Sequence, residues 1–194
     1  MVMKKTCYLS MILVATIFLS CAEKPQSTSD VVNKTILSRR SIRKYKNLKV
    51  SKEMLDVIIK SGINAPSAKN NQPWEVRVIS TPGLLEKIKA TGGNFYDAPV
   101  LIVIANDTAN PYGEFDCGLL SQNIMLSAES FNLGTCALGG VARAINNNTA
   151  DAEAIRAELG FSPGYKTILG IALGHKDEFP EAKSRDTSKV KFID

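Results

Sequence analysis

The sequence predicts one α+β domain, a sheet flanked by helices, behind a short N-terminal address segment. Residues 100–105 and 167–173 are continuous apolar runs of strand length, as expected of strands covered on both faces. Longer segments repeat apolar residues at helical spacing between capping residues. The two kinds of segment do not alternate strictly, which favours α+β over a repeating βαβ layout. The 194 residues are 44% hydrophobic and 22% charged, which excludes a collagenous, coiled-coil or wholly disordered chain. A formal charge of +5 is too small an excess to argue for nucleic acid.

The address comes first. Lys4 and Lys5 precede an uncharged run over residues 7–20, short of the roughly 20 residues that span a bilayer. A basic start, a short apolar run and small residues after it read as a secretory signal. Phe18-Leu19-Ser20-Cys21 resembles a bacterial lipoprotein box, in which Cys21 is lipidated and becomes the first mature residue. Phe18 stands where Leu is usual. Ordinary cleavage after Ala22 and a buried core helix are the alternatives. The expected division is therefore a signal over 1–20, a polar tether over 21–30 and a folded domain over 31–194.

Within the domain, Asp30 is a candidate cap for a helix over about 31–38, and Ser51 opens a second that Gly62 ends. Residues 74–79 alternate as a strand, and Thr81-Pro82 starts a short helix to about Ala90. After the strand at 100–105 a long helix covers about 114–132, apolar nearly all round, with Gly134 as its stop. Another helix runs over about 150–159 to Gly160, then the strand at 167–173. The tail is polar until Val190–Ile193, which has strand character and no obvious partner within the chain.

Three clusters hold groups suited to a ligand. Arg39-Arg40-Ser41-Ile42-Arg43 can hold a phosphate, because guanidinium bonds to phosphate are strong and directional. A solvated basic stretch is the plain alternative, since residues 34–49 carry seven Lys or Arg and no acid, and such a run near a lipid anchor can touch anionic headgroups. Residues 65–74, APSAKNNQPW, offer amides that can read a planar heterocycle, or form a plain connector. Residues 134–140, GTCALGG, let backbone N–H groups approach a ligand closely, or make a helix cap and turn. Their spacing is not that of a dinucleotide fingerprint.

Catalytic side chains are sparse. His175 is the only histidine and reads as a strand-end surface residue, no carboxylate pair has distinctive spacing, and Cys136 reads as a small core residue. Cys117 and Cys136 are open candidates for a disulfide, and no cysteine spacing indicates a metal. Few catalytic groups among many ligand-holding ones suggest that a cofactor carries the chemistry.

RRSIRKY (39–45), APSAKNNQPWEV (65–76), DAPVLIVIA (97–105), NLGTCALGG (132–140) and KSR (183–185) follow in that order. The set, from about residue 33 to the end, resembles the FMN-dependent nitroreductase family. The resemblance implies an intertwined homodimer, with FMN at the interface and the C-terminal segment reaching the partner's sheet. It implies that Arg39 and Ser41, with Lys183 and Arg185, clamp the FMN phosphate, Arg40 lying in the same motif. It puts Arg43 near the flavin pyrimidine edge, and has Pro66, Ser67 and Asn70 meet the flavin from the partner subunit. Gly139 and Gly140 would face flavin N5, and Asn94 is a weak match for a further amide contact.

The implied reaction is ping-pong hydride transfer from NAD(P)H through FMN to nitroaromatic or quinone acceptors. The short connection NDTANPYG (106–113) implies a minimal, open pocket without a lid. Nicotinamide donors are cytoplasmic, whereas the address implies export to a bacterial membrane facing the periplasm or exterior. A donor other than a nicotinamide, such as a membrane-associated carrier, is therefore also expected. Besides a reductase, the sequence leaves open a flavin-binding electron-transfer lipoprotein, or a structural lipoprotein without flavin.

Overall fold

The structure, a computed structural model, describes residues 27–193. The expected signal, Cys21 and residues 21–26 of the expected tether lie outside the described residues.

Helix α1, Thr28–Ser38, starts earlier than the sequence suggested. Ser27 is its cap, and Asp30 completes a capping box from inside the helix: the Asp30 N–H donates to Ser27 Oγ at 3.1 Å and the Ser27 N–H to Asp30 Oδ2 at 3.3 Å. Helix α2, Lys52–Ile63, starts under Ser51 as predicted. Strand β1 (Trp74–Ile79), helix α3 (Pro82–Ala90) and strand β2 (Val100–Asp107) follow. Helix α4 is Gly113–Ser130, strand β3 Leu133–Leu138, helix α5 Gly139–Ile145, helix α6 Ala150–Leu159 and strand β4 Tyr165–His175.

The strands form one antiparallel sheet in the order β1-β2-β4-β3. Alternate residues of β2 face opposite layers. Val100, Ile102 and Ile104, with Ile171, Leu173 and Leu133, pack with Ile58 of α2 and Leu120 and Ile124 of α4. Leu101 and Val103, with Ala172 and Cys136, pack with α3, α5 and α6 through Leu85, Ile88, Val141, Ile145, Ile155 and Leu159. The sheet is thus the middle of three layers, which explains why β2 lacks any polar alternation. Each large apolar side chain fully buried there stabilises the fold by about 1.5–3 kcal/mol. Cys117 and Cys136 are free and belong to the two different cores.

Two sequence expectations differ. The long helix stops at Ser130, and the residue that turns the chain is Asn132, at φ 57°, where Asn tolerates the left-handed region. Gly134 is therefore not a helix stop. It belongs to β3, and the stretch read as loop or cap continues as β3 and α5. Among the described residues Val190–Ile193 pairs with no strand; Val190 follows a short turn of 3-10 helix, Thr187–Lys189.

Gly134 has a packing reason. A Cβ there would lie 2.8 Å from Ile42 Cβ, Cγ1 and Cγ2, and Ile42 is 2% exposed. The absent side chain lets residues 41–42 lie on the edge of β3, where the Ile42 N–H donates to the Thr135 carbonyl at 2.9 Å and Ser41 bridges Thr135. Gly134→Ala is expected to lift this segment and destabilise the protein by about 1–3 kcal/mol, a fall of about 2–12 °C in Tm by thermal denaturation.

Candidate functional site

The segment after α1 lies along the edge of β3 and then crosses to the end of β4. The Asp177 N–H donates to the Lys44 carbonyl at 3.0 Å, and the Lys46 N–H to the His175 carbonyl at 2.9 Å. Beneath its start sits an ion pair. Lys176 Nζ lies 2.9 and 2.8 Å from the two Glu129 oxygens, with side chains 11% and 9% exposed. Ser38 Oγ donates to Glu129 Oε1 at 3.1 Å. The ends of α1, α4 and β4 are thereby tied together directly under Arg39.

At this junction Arg39, Arg40, Ser41 and Arg43 meet Pro180, Glu181, Lys183 and Arg185 around a cavity of about 130 Å³. Basic groups some 140 residues apart thus converge, as the sequence resemblance implied. Among the described residues, the Arg39 and Lys183 side chains make no hydrogen bond and no ion pair, so their donors are available to an anion. Arg185 Nη1 donates to the Lys183 and Ser184 carbonyls at 2.9 and 3.1 Å, which bends the tail into a basic hook. Arg40 behaves differently. Its Nη1 donates to the Leu37 and Arg39 carbonyls at 2.6 and 2.9 Å, a cation at the carboxyl end of α1. Its Nε is buried without a partner.

Strand β3 runs from its contact with Ser41 through Cys136 to α5. Burial raises the Cys136 thiol pKa above its ordinary value, although Arg43, Ser41 and Arg39 pull the other way; the thiol stays neutral. Burial likewise pushes the Cys117 thiol up, to about 12. Neither is a nucleophile at neutral pH. Gly139 and Gly140 open α5 with exposed backbone, and a Cβ on either would meet open space. N–H groups in a first helical turn lack intrahelical partners.

Pro66, Ser67 and Asn70 lie elsewhere. Their loop leads into β1, whereas the basic cavity adjoins β3, and these two strands are the opposite edges of the sheet. Three strand spacings, about 14 Å, separate the edges. The loop is stiff: Lys69, Asn70 and Gln72 have φ of 55°, 56° and 47°. The Gln72 N–H donates to Ser67 Oγ at 2.9 Å, and the Ala68 N–H to the carboxylate of Asp116 at 3.1 Å, itself 1% exposed. Left-handed non-glycine residues persist only where the surroundings fix them, and cluster at ligand sites. Asn94 is engaged otherwise, its Oδ1 accepting the Tyr96 N–H at 3.0 Å.

Sequence reading missed Thr135, Tyr96 and Glu178 beside the site. The Arg43 guanidinium carbon lies 5.9 Å from the centre of the Tyr96 ring, and Glu178 Oε1 accepts the Arg43 N–H. No local pattern marks these residues; only the fold brings them to Arg43.

The nitroreductase family model matches residues 36–91 and 84–175, and the chain belongs to the nitroreductase family. An NADPH-flavin oxidoreductase of Vibrio harveyi is 31% identical over 170 residues, 78% of this chain and 68% of that protein. A Methanothermobacter thermautotrophicus protein with an NADH dehydrogenase/NAD(P)H nitroreductase name is 37% identical over 115 residues, 56% of this chain and 60% of that protein. Among solved structures, a nitroreductase with bound FMN from Desulfitobacterium hafniense superposes with a TM-score of 0.77 at 28% identity, over 84% of this chain and 98% of that one.

The basic cavity makes a direct prediction. Hydrogen bonds to charged groups contribute about 1.5–3 kcal/mol each. Replacing Arg39 and Arg185 by Ala together should weaken FMN binding by about two to four powers of ten, read by quenching of flavin fluorescence on titration. Unchanged FMN affinity would remove the phosphate assignment.

Proposed function

We propose that this chain is an FMN-dependent oxidoreductase that works as a homodimer. It takes reducing equivalents from NAD(P)H, or from another donor at a membrane, and passes them to nitroaromatic or quinone acceptors. The observation that carries the reading is the convergence of Arg39, Ser41, Lys183 and Arg185 on one cavity in a chain of this family. The residues fit the group: a dianionic phosphate needs several unengaged cationic donors, and a flat ring needs backbone that it can approach closely. Bound there, FMN would supply hydride transfer at N5.

The protein's part is binding, orientation and charge. Arg39, Ser41, Lys183 and Arg185 hold the phosphate end. Arg43 brings a cation toward the pyrimidine edge and favours the anionic reduced form by Coulomb attraction. Its pKa lies above the ordinary value, chiefly through Tyr96 beside it, so the charge persists across the working pH range. Backbone N–H groups at Gly139 and Gly140 offer hydrogen bonds to the N5 end. The short turn between β2 and α4 supports an uncovered pocket of broad acceptor range.

The split site supports the homodimer. Pro66, Ser67 and Asn70 are on the edge opposite the basic cavity, so a second copy would bring its loop to the first copy's ring. Exposed apolar residues support the pairing: Val31, Val32, Ile36 and Leu37 on α1, and Val190, Phe192 and Ile193 in the tail. Among the described residues no strand pairs with the outer edge of β1, which a strand from a partner's tail would fit. The reading also keeps the lipid anchor at Cys21, supported by the run before it, with the domain on the outer side of a bacterial membrane.

The test is the visible spectrum of the purified full-length chain before and after anaerobic NADH or NADPH. Yellow protein that bleaches is the expected result. Yellow protein that does not bleach would replace the nicotinamide donor by another carrier, the electron-transfer reading that the address segment favours. Colourless protein that cannot be reconstituted with FMN would overturn the proposal. A second expectation concerns assembly. Deleting residues 190–194 should weaken the dimer at least tenfold by analytical ultracentrifugation; an unaltered dimer would exclude tail exchange.

A further inference from the structure

We propose that Glu178 and Tyr96 form a clamp that fixes Arg43, Glu178 through the main chain and Tyr96 beneath the guanidinium. The inference rests on the FMN reading above. It assigns two positioning residues that act through Arg43.

Glu178 lies just beyond β4 and is half-buried. Its carboxylate accepts the Arg43 N–H. The neighbouring bonds, Asp177 N–H to the Lys44 carbonyl and Lys46 N–H to the His175 carbonyl, turn residues 43–46 into a strap seated on the end of β4. Glu178 holds the strap at Arg43, whose N–H has no main-chain partner among the described residues. The Arg43 side chain is otherwise lightly held, its Nη1 reaching only the Ser41 carbonyl at 3.3 Å.

Tyr96 supplies the second jaw. Its ring lies 5.9 Å from the guanidinium carbon, within the range in which an aromatic face attracts a cation. The backbone there is strained: Tyr96 and Asp97 have φ of 59° and 52°. Two further contacts hold the turn. Tyr96 N–H donates to Asn94 Oδ1 at 3.0 Å, and Lys89 Nζ pairs with Asp97 Oδ1 at 2.6 Å. Consecutive left-handed non-glycine residues persist only when surrounding structure imposes them, and here the imposed turn carries the ring to Arg43.

A clamp matters because position decides what a cation does. An unrestrained arginine in water spreads its charge over many rotamers at high dielectric, whereas a fixed one acts at one place. The phosphate end is held separately by Arg39, Ser41, Lys183 and Arg185. Loosening Arg43 should therefore change how strongly reduced flavin is preferred over oxidised flavin, and change the hold on oxidised flavin little.

The full-length chain and its E178A, E178Q, Y96F and Y96L variants would be loaded with FMN. Midpoint potentials would come from spectroelectrochemical titration, and FMN Kd from fluorescence quenching. E178A and E178Q both remove the charge, but only Gln keeps an acceptor for the Arg43 N–H. E178A is expected to prefer reduced over oxidised flavin about tenfold less than E178Q, a potential lower by about 30 mV for a two-electron couple. Their Kd values for oxidised FMN should agree within about threefold. Y96F, which keeps the ring and loses the hydroxyl, should stay above Y96L, which should fall in the direction of E178A. Equal potentials within either pair overturn the clamp, and a general loosening of the fold would give that result by weakening FMN binding in both members alike. An unaltered chain that takes up no FMN overturns the proposed function, and the clamp with it.

Discussion

The candidate site depends on how the segment after α1 is fastened to the sheet. Ile42, 2% exposed, and Tyr45, packed against the core of α3, α5 and α6, are the apolar anchors of residues 41–46. Backbone bonds to Thr135, His175 and Asp177 hold the rest, and the absent side chains of Gly134 and Gly174 leave room for Ile42 and Tyr45. The sheet edge therefore takes a strap in place of another full strand. The strap places Arg39, Ser41 and Arg43 at fixed points along that edge. An unpaired edge is a liability in most sheets; here the covering segment also carries the ligand-binding groups.

Charge is distributed to suit that arrangement. The ion pair Lys176–Glu129 is almost dry, and removal of either partner from such a pair costs about 3–5 kcal/mol. Its value is geometric: with Ser38 it locks the ends of α1, α4 and β4 at one junction. The cations of the cavity above are different. Among the described residues, Arg39, Lys183 and Arg185 pair with no carboxylate, and Glu181 is the one acid lining their cavity. Cations brought together without counter-charges repel one another, and a bound dianion relieves that repulsion.

Much of this was legible in the sequence. The apolar runs located β2 and β4 because strands covered on both faces need no alternation, and the capping residue at Ser51 located α2. One half of the basic cavity was marked by the arginine cluster RRSIR, and the other, KSR, only through the family resemblance. β3 and α5 were hidden for a physical reason. Gly134 looks like a helix stop when only neighbours are considered, and its true role is set by Ile42, nearly a hundred residues earlier. The real stop, Asn132, is a weaker signal than glycine. Tyr96 and Glu178 carry no local pattern, because their meaning comes from Arg43, a contact that the sheet creates. The tail reads as a strand from its composition, and among the described residues it pairs with none.

The separation of the two ligand-facing clusters has a genetic consequence. Arg39 and Asn70 sit at opposite edges of one chain, so in the proposed dimer each pocket would draw one from each copy. A chain damaged at Arg39 and another damaged at Asn70 would then be poor as pure assemblies. Mixed in one cell, they would form hybrids in which one pocket inherits both lesions and the other inherits neither. Two defective alleles would together restore up to half of the pockets in every hybrid, a pattern of mutual rescue that no pocket confined to a single chain can produce.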